Sequence, residues 1–372
     1  MSKQDIWLNL SQQIFQCHDC GDKFLATSPL VNKNAYISNN IKYDIAFYLM
    51  DTKTETQIAI DHNVSVNTVS RVMDNHNVKP ATNFSRLPRA LMFDEVNLNN
   101  GRKLLFIAAD AKTHKPLTIE PFRNQTQLRS FFLMFNRQVR KRVRTIVVDM
   151  NNPYFTLIKE LFPNARIIID RFHIVTQAYC EFNKVRISVM KQFGSDSKEY
   201  RQLKRFWTLL MKHETALDYT TRKSRVNFKH AYLTDKEVID RLLALSDELR
   251  DAYAFYQGIL YAIETHDEAE LKSVLYPTKN DAQYRSLPKA MKKARRTIRK
   301  HFDEIINSFI YGFSNGPIEG SNNKIKAIKR TAYGFCSFKN FRLRILISFK
   351  NSFYSMNYKQ KAADLDNVKS AA

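Results

Sequence analysis

The chain has 372 residues and a mass of 43.6 kDa, too long for one ordinary domain, so two or three domains are expected. Hydrophobic residues make up 44% and charged residues 26%, a globular composition that argues against a mostly disordered chain. Fifty-nine Lys and Arg against 36 Asp and Glu leave a net charge of +23; the basic residues form no single amphipathic anchor, so nucleic acid is favoured over acidic lipid as the partner.

The most apolar runs, LLFIAAD and RTIVVD, are strand-sized and far short of the ~18 apolar residues of a spanning helix, so no membrane is expected. MSKQDIWLNLSQQIFQ lacks the apolar centre of a cleavable signal peptide, and four cysteines read as a reduced, cytoplasmic inventory.

Residues 1–32 hold half of a metal-binding motif. CHDCGDKF places Cys17 and Cys20 in a CxxC knuckle with Gly21 at a tight turn, but a structural zinc site needs four thiolate or imidazole ligands. No Cys or His precedes Cys17, and Cys180 and Cys336 stand alone in helical context as expected buried or half-buried side chains. An incomplete or degenerate zinc knuckle is therefore expected.

Residues 33–85 read as a small helical domain ending in the linker KPATNFSRLP. Within ETQIAIDHNVSVNTVSRVMDNHN, Ile58, Ala59 and His62 fit one helix and Asn63 and Val64 a turn. Ser65 then caps a second helix with Val69 and Val72 inward. Asn67, Thr68, Ser70 and Arg71 are expected to point outward, as in a helix-turn-helix reading DNA.

From residue 86 onward the pattern becomes short apolar runs separated by turns. The order is strand (LMFDEVNL), strand (KLLFIAADAKT), strand (PLTIEPF), helix (TQLRSFFLMFNRQV), strand (RTIVVDM), helix (PYFTLIKELF) and strand (ARIIID). Three hairpin-linked strands followed by strand–helix units describe an α/β fold with a mixed, ribonuclease-H-like sheet. Beyond Arg171 the sequence reads as long, basic helices, giving a helical insertion at about 171–308 within a catalytic domain spanning 86–372. Its densest charge run, KAMKKARRTIRK, is either a wall for DNA or a solvated helix face.

Four aspartates follow apolar runs: Asp94 after LMF, Asp110 after LLFIAA, Asp149 after TIVV and Asp170 after RIII. Any one of them simply marks where a strand reaches water. In the expected topology the first and fourth strands are parallel neighbours, bringing Asp94 and Asp149 together, whereas the antiparallel second strand carries Asp110 to the far end. Adjacent carboxylates repel unless a cation lies between them, and hard oxygen ligands select Mg²⁺ or Mn²⁺. The candidate third carboxylate is Glu319 in FSNGPIEGSNNKIKAIKR, a helix start with Ser314 or Asn315 as cap and Pro317 in the first turn. Gly316 and Gly320 around it suggest close approach of another backbone. Asn322, Asn323, Lys324, Lys326 and Lys329 then form a polar and basic face suited to phosphates.

FDEVNLNNGRKLLFIAADAKTHKPL, VVDMNNPYFTLIKELFPNARIIIDRFHIV and YGFSNGPIEGSNNKIKAIKRTAYGFCSFKNFRLRILI resemble the DDE transposases of bacterial insertion sequences, specifically the ISL-three family. The likeness covers most of the chain. It implies an N-terminal pair of zinc knuckles, a helix-turn-helix and a ribonuclease-H-like domain with a helical insertion. The catalytic, metal-binding triad falls on Asp94, Asp149 and Glu319, with two Mg²⁺ or Mn²⁺ ions and with Asp170 and His173 as supporting neighbours. DNA contacts are expected from Asn67, Thr68, Ser70, Arg71, Asn323, Lys324, Lys326 and Lys329. The family's first CxxC has no counterpart in this sequence, so a shortened copy with doubtful zinc is expected. The implied function is binding of terminal inverted repeats, DNA cleavage and strand transfer into target DNA, by a homodimer on double-stranded DNA. The alternative is a DNA-binding regulator, derived from a transposase, whose sheet domain is only a scaffold.

Overall fold

The computed structural model describes residues 7–32, 35–75, 83–97, 104–121, 124–150, 152–278, 286–313, 316–332 and 337–350. In chain order, strands β1 (Ile14–Gln16) and β2 (Lys23–Leu25) precede helices α1 (Asn39–Tyr48), α2 (Glu55–Asp61) and α3 (Val66–Asp74). Strands β3 (Ala90–Asn97), β4 (Leu104–Asp110) and β5 (Pro116–Glu120) follow, then α4 (Gln125–Leu133) and α5 (Arg137–Lys141). Strand β6 (Thr145–Val148), α6 (Asn152–Leu161) and β7 (Arg166–Ile169) lead into α7 (Arg171–Gln192), α8 (Lys198–Arg205) and α9 (Trp207–Leu210). A hairpin of β8 (Lys223–Arg225) and β9 (Ala231–Leu233) precedes α10 (Asp235–Leu243), α11 (Asp247–Thr265), α12 (Glu268–Leu275), α13 (Lys289–Lys300) and α14 (Phe302–Tyr311). Helices α15 (Gly316–Thr331) and α16 (Phe338–Lys350) close the described chain.

The fold is mixed α/β, with a five-stranded mixed sheet of order β5-β4-β3-β6-β7. Strands β3, β4 and β5 pair antiparallel, and β6 pairs parallel with β7. The chain divides into two compact units, residues 1–143 with 316–372, and residues 144–315.

In the first unit, Phe93 and Phe106 of the sheet and Phe132 of α4 form an aromatic cluster, with ring centroids 5.2 and 5.3 Å from Phe93. The single helix expected over residues 126–139 is two. Asn136 interrupts it, its side chain accepting the Val139 N–H at 2.9 Å and so capping α5. Asp94 lies inside β3, within the LMFDEVNL run, opposite Ile107. Asp110 stands opposite Leu91, where β3 begins, and its Oδ1 accepts the Lys112 N–H at 2.8 Å in the turn to β5.

Helices α1 to α3 form a three-helix unit whose joints follow from local chemistry. Ser65 Oγ accepts the Thr68 N–H at 3.2 Å, capping α3 as expected. Asn63 takes a left-handed conformation (φ 53°), which Asn tolerates better than most residues, and His62 is the C-cap of α2 rather than part of it. Ile45, Leu49, Ile58, Ala59, Val69, Val72 and Met73 form the core, joined by Leu343 and Ile347 of α16. Arg344, almost fully buried, donates to the carbonyls of Leu49 (2.6 Å), Asp51 (3.0 Å) and Lys53 (2.5 Å), which follow α1. Helix α16 also reaches β5. Arg342 donates to the Ile119 carbonyl at 2.8 Å and the Thr118 hydroxyl at 3.0 Å, and meets Glu120 at 3.2 Å.

In the second unit, α7 is the central helix. Phe182 stacks on Tyr256 of α11 at 5.0 Å, and Arg186 donates to the Leu203 carbonyl at 3.0 Å. Asn307 of α14 donates to the Ile167 carbonyl of β7 at 2.9 Å. The stretch beyond Arg171 is not wholly helical, because β8 and β9 form a short antiparallel hairpin. The periodic run over residues 235–275 is three helices, since Ser246 and Asp267 each cap a new one, accepting the N–H of Leu249 and Glu270. Cys180 is exposed rather than buried, and Cys336 lies outside the described residues.

Candidate functional site

Each unit carries part of the expected site. In the first, Asp94 is held on both sides: Oδ1 accepts the Glu95 N–H at 2.7 Å and Oδ2 accepts Nδ2 of Asn322 at 2.6 Å. Asn322 lies on α15, three positions after Glu319, so strand β3 is tied directly to the helix that carries Glu319. Asn322 is buried, and among the described residues its Oδ1 has no hydrogen-bond partner. The expected caps Ser314 and Asn315 lie outside the described residues. Gly320 is exposed, and a Cβ there would meet nothing within 4 Å, so among the described residues no close backbone approach requires glycine.

In the second unit, Asp149 follows β6, and its Oδ1 lies 2.7 Å from Nε2 of His173, on the first turn of α7. Asp170 is buried at the N-cap of α7, where its carbonyl accepts the His173 N–H at 3.1 Å. Strand β7 therefore ends on a backbone contact that sets the start of α7, and α7 in turn presents the imidazole to Asp149.

Among the described residues, no group of three or more His, Cys, Asp and Glu is arranged to hold a metal ion. The donor chemistry nevertheless fits a hard divalent cation. In the first unit Asp94 offers carboxylate oxygens and Asn322 a buried carbonyl oxygen with no donor among the described residues; in the second, Asp149 offers a carboxylate of its own.

The expected DNA-facing residues divide by burial. On α3, Asn67 and Arg71 are exposed, but Thr68 is buried against Ser65. Ser70 is half-buried and donates to Glu55 of α2 at 3.0 Å, so only two of the four point outward, Thr68 being turned onto the cap Ser65 and Ser70 onto α2. On α15, Asn323 and Lys326 are exposed and Lys329 half-buried. Lys324 departs from expectation: it turns back to the Ser348 carbonyl at 2.7 Å and over the Phe349 ring, and burial lowers its pKa. Helix α13 buries Met291, Ala294 and Ile298 and exposes Lys289, Lys292, Lys293, Arg296 and Lys300.

The knuckle is a hairpin. β1 and β2 pair antiparallel around a turn in which Gly21 has φ 71° and donates to the Cys17 carbonyl at 3.0 Å. Backbone N–H groups of Cys20 and Asp19 lower the Cys17 thiol pKa.

A family model described as "Transposase", that of the ISL-three type of DDE transposases, matches residues 91–345. The chain belongs to this family. The match contains Asp94, Asp149 and Glu319, all of β3 except Ala90, and every element from β4 through α15. A protein of Bordetella parapertussis named "Transposase for insertion sequence element IS1001" is 25% identical over 70% of this chain and 60% of its own length. One of Lactococcus lactis subsp. lactis, named "ATP-dependent protease", is 42% identical over 33% of this chain and 37% of its own. The chain thus spans less than two thirds of the length of either relative. Among the described residues no helix is long and apolar enough to cross a membrane.

Asn322, expected on the phosphate-facing side of α15, is instead buried and donates to Asp94. Its signal was present: two adjacent Asn residues, poor helix formers, one turn beyond Glu319 in GPIEGSNN. Arg342 and Arg344 gave none, since a buried arginine is indistinguishable from a basic surface residue in so basic a chain.

Proposed function

We propose that the chain is an insertion-sequence transposase that binds terminal inverted repeats, cleaves DNA and joins the ends to target DNA. Asp94, Asp149 and Glu319 would be its catalytic carboxylates, on a ribonuclease-H-like domain of residues 86–372 with a helical insertion at about 171–308. One observation carries this reading furthest: within the family match, Asp94 is hydrogen-bonded to the helix that carries Glu319. A carboxylate fixed from both sides on a rigid strand has the preorganisation that phosphoryl transfer demands.

Asp94, Asp149 and Glu319 would hold two Mg²⁺ or Mn²⁺ ions. Bound there, such ions lower the pKa of the attacking water or 3′-hydroxyl and stabilise the leaving oxygen. His173 orients Asp149 by its Nε2 contact, and Asp170 fixes the turn from which His173 projects. Residues 33–85 would act as the helix-turn-helix, with Asn67 and Arg71 toward base edges and phosphates. Asn323, Lys326 and Lys329 would meet the backbone near the scissile phosphate, and the exposed lysines and Arg296 of α13 would form a further DNA wall. The active form would be a homodimer on double-stranded DNA.

The test is strand cleavage of labelled terminal-repeat DNA in Mg²⁺ by the wild type and by Asp149→Asn. Cleavage should fall by several orders of magnitude while gel-shift binding survives. Wild-type binding without cleavage would leave instead a DNA-binding regulator.

A further inference from the structure

The unpartnered oxygen of Asn322 calls for a partner. Asn322 is 9% exposed; its Nδ2 donates to Asp94 at 2.6 Å, and its Oδ1 is buried with no hydrogen-bond partner among the described residues. Buried carbonyl oxygens almost always find a donor or a cation. Here the amide directs its N–H toward the carboxylate and keeps its acceptor unpaired beside the same negative charge. An acceptor next to an anion is a poor place for a second anion and a good one for a cation, and amide carbonyls join carboxylates among the oxygen ligands of hard divalent ions.

We infer that Asn322 is itself an oxygen ligand of the divalent cation held at Asp94, in addition to fixing that carboxylate. The inference rests on the metal-dependent reading above and deepens it. Helix α15 would contribute two residues to the metal, Glu319 and, three positions on, Asn322. One Asn would then set the orientation of Asp94 through its nitrogen and complete the coordination through its oxygen. The neighbouring Asn323 is exposed and would remain outside this set.

The experiment is a titration of the full-length protein with Mn²⁺ alone, without DNA, followed by electron paramagnetic resonance of free Mn²⁺. Wild type, Asn322→Ala, Asn322→Asp and Asp94→Asn are compared, each checked for folding by circular dichroism. Asn322→Ala should weaken Mn²⁺ binding about tenfold or more, in the range expected when the support of a metal site is lost. Asn322→Asp is the decisive variant. It keeps a ligand oxygen and adds charge, so it should restore or tighten binding. Were Asn322 only an N–H donor to Asp94, the same change would remove that donor as Ala does and leave binding as weak as in Asn322→Ala. Weakened binding in Asn322→Asp, or unchanged binding in Asn322→Ala, overturns the inference. Loss of Mn²⁺ by Asp94→Asn alongside either result would leave the Asp94 centre standing. Full Mn²⁺ binding by Asp94→Asn would instead remove the metal-site reading on which the inference rests.

Discussion

Replacing Arg344 with Met tests whether α16 holds the three N-terminal helices together. The guanidinium is 2% exposed and donates three hydrogen bonds, to the carbonyls of Leu49, Asp51 and Lys53. A helix leaves its last carbonyls unsatisfied, and a cation at that end also meets the negative pole of the dipole. Burial lowers the Arg344 pKa to about 10, which shows that desolvation opposes part of this gain. Leu49 is fully buried, so its carbonyl would be left without water; an unsatisfied buried acceptor costs about 1–3 kcal/mol. Asp51 is exposed and Lys53 half-buried, so their carbonyls can rehydrate, at about 0.5–1.5 kcal/mol each. Met retains most of the aliphatic volume, so little cavity term is added. The expected loss is about 2–6 kcal/mol, concentrated in α1 to α3. Amide hydrogen exchange of the full chain reads this directly, as lost protection over residues 39–74 with the sheet strands unaffected. Protection of α1 to α3 within ~0.5 kcal/mol of wild type, the size of an ordinary surface substitution, would refute the reasoning.

What the sequence made legible followed from periodicity and local caps. Four of the five sheet strands lie within the runs expected for them and β3 begins one residue before its run, because each is a short apolar stretch bounded by turn residues. Ser65 and the inward Val69 and Val72 were legible for the same reason. What escaped was long-range. Leu343 and Ile347 complete the core of α1 to α3 from 270 or more residues away, and no local pattern marks them. Thr68 and Ser70 were misjudged because a polar residue on a short helix is read as outward, whereas here Ser65 and Glu55 take their hydroxyls inward. At the candidate site, chemistry and spacing single out Asp94 and Asp149. The partners that fix them, Asn322 and His173, depend on how α15 meets β3 and how α7 starts beside β6.

Arg71→Ala should weaken terminal-repeat binding in a gel shift, whereas Thr68→Ala, at a buried position, should act mainly on stability; equal affinity of wild type and Arg71→Ala would move recognition elsewhere. Among the described residues Cys17 and Cys20 belong to no group of three or more metal-binding side chains, so this chain should hold much less than one tightly bound Zn²⁺ and chelators should leave the sheet domain folded; stoichiometric zinc by metal analysis would contradict this. His301 is buried against Phe155, and burial holds its pKa below the ordinary 6.5. As pH falls below that value the unfolded chain takes up a proton that the folded chain refuses, so stability drops. His301→Phe should flatten the melting temperature between pH 7 and 5 relative to wild type, and parallel curves would exclude the effect. Asp110 provides the sharpest contrast with Asp94 and Asp149. Its Oδ1 accepts N–H groups of Lys112 and Thr113 at 2.8 and 3.4 Å, an Asx turn that lets His114 adopt φ 57° and brings β5 back along β4. That work needs an acceptor and no charge. Asp110→Asn keeps the oxygen and should cleave terminal-repeat DNA like wild type, while Asp110→Ala should cost about 0.5–1.5 kcal/mol of stability for the lost turn bond. Asp149→Asn keeps its shape equally well yet should be inactive, because there the charge itself is required. An inactive Asp110→Asn beside an active Asp149→Asn would show that the carboxylate serving the chemistry lies at the β4–β5 turn, and the triad proposed here would have to be abandoned.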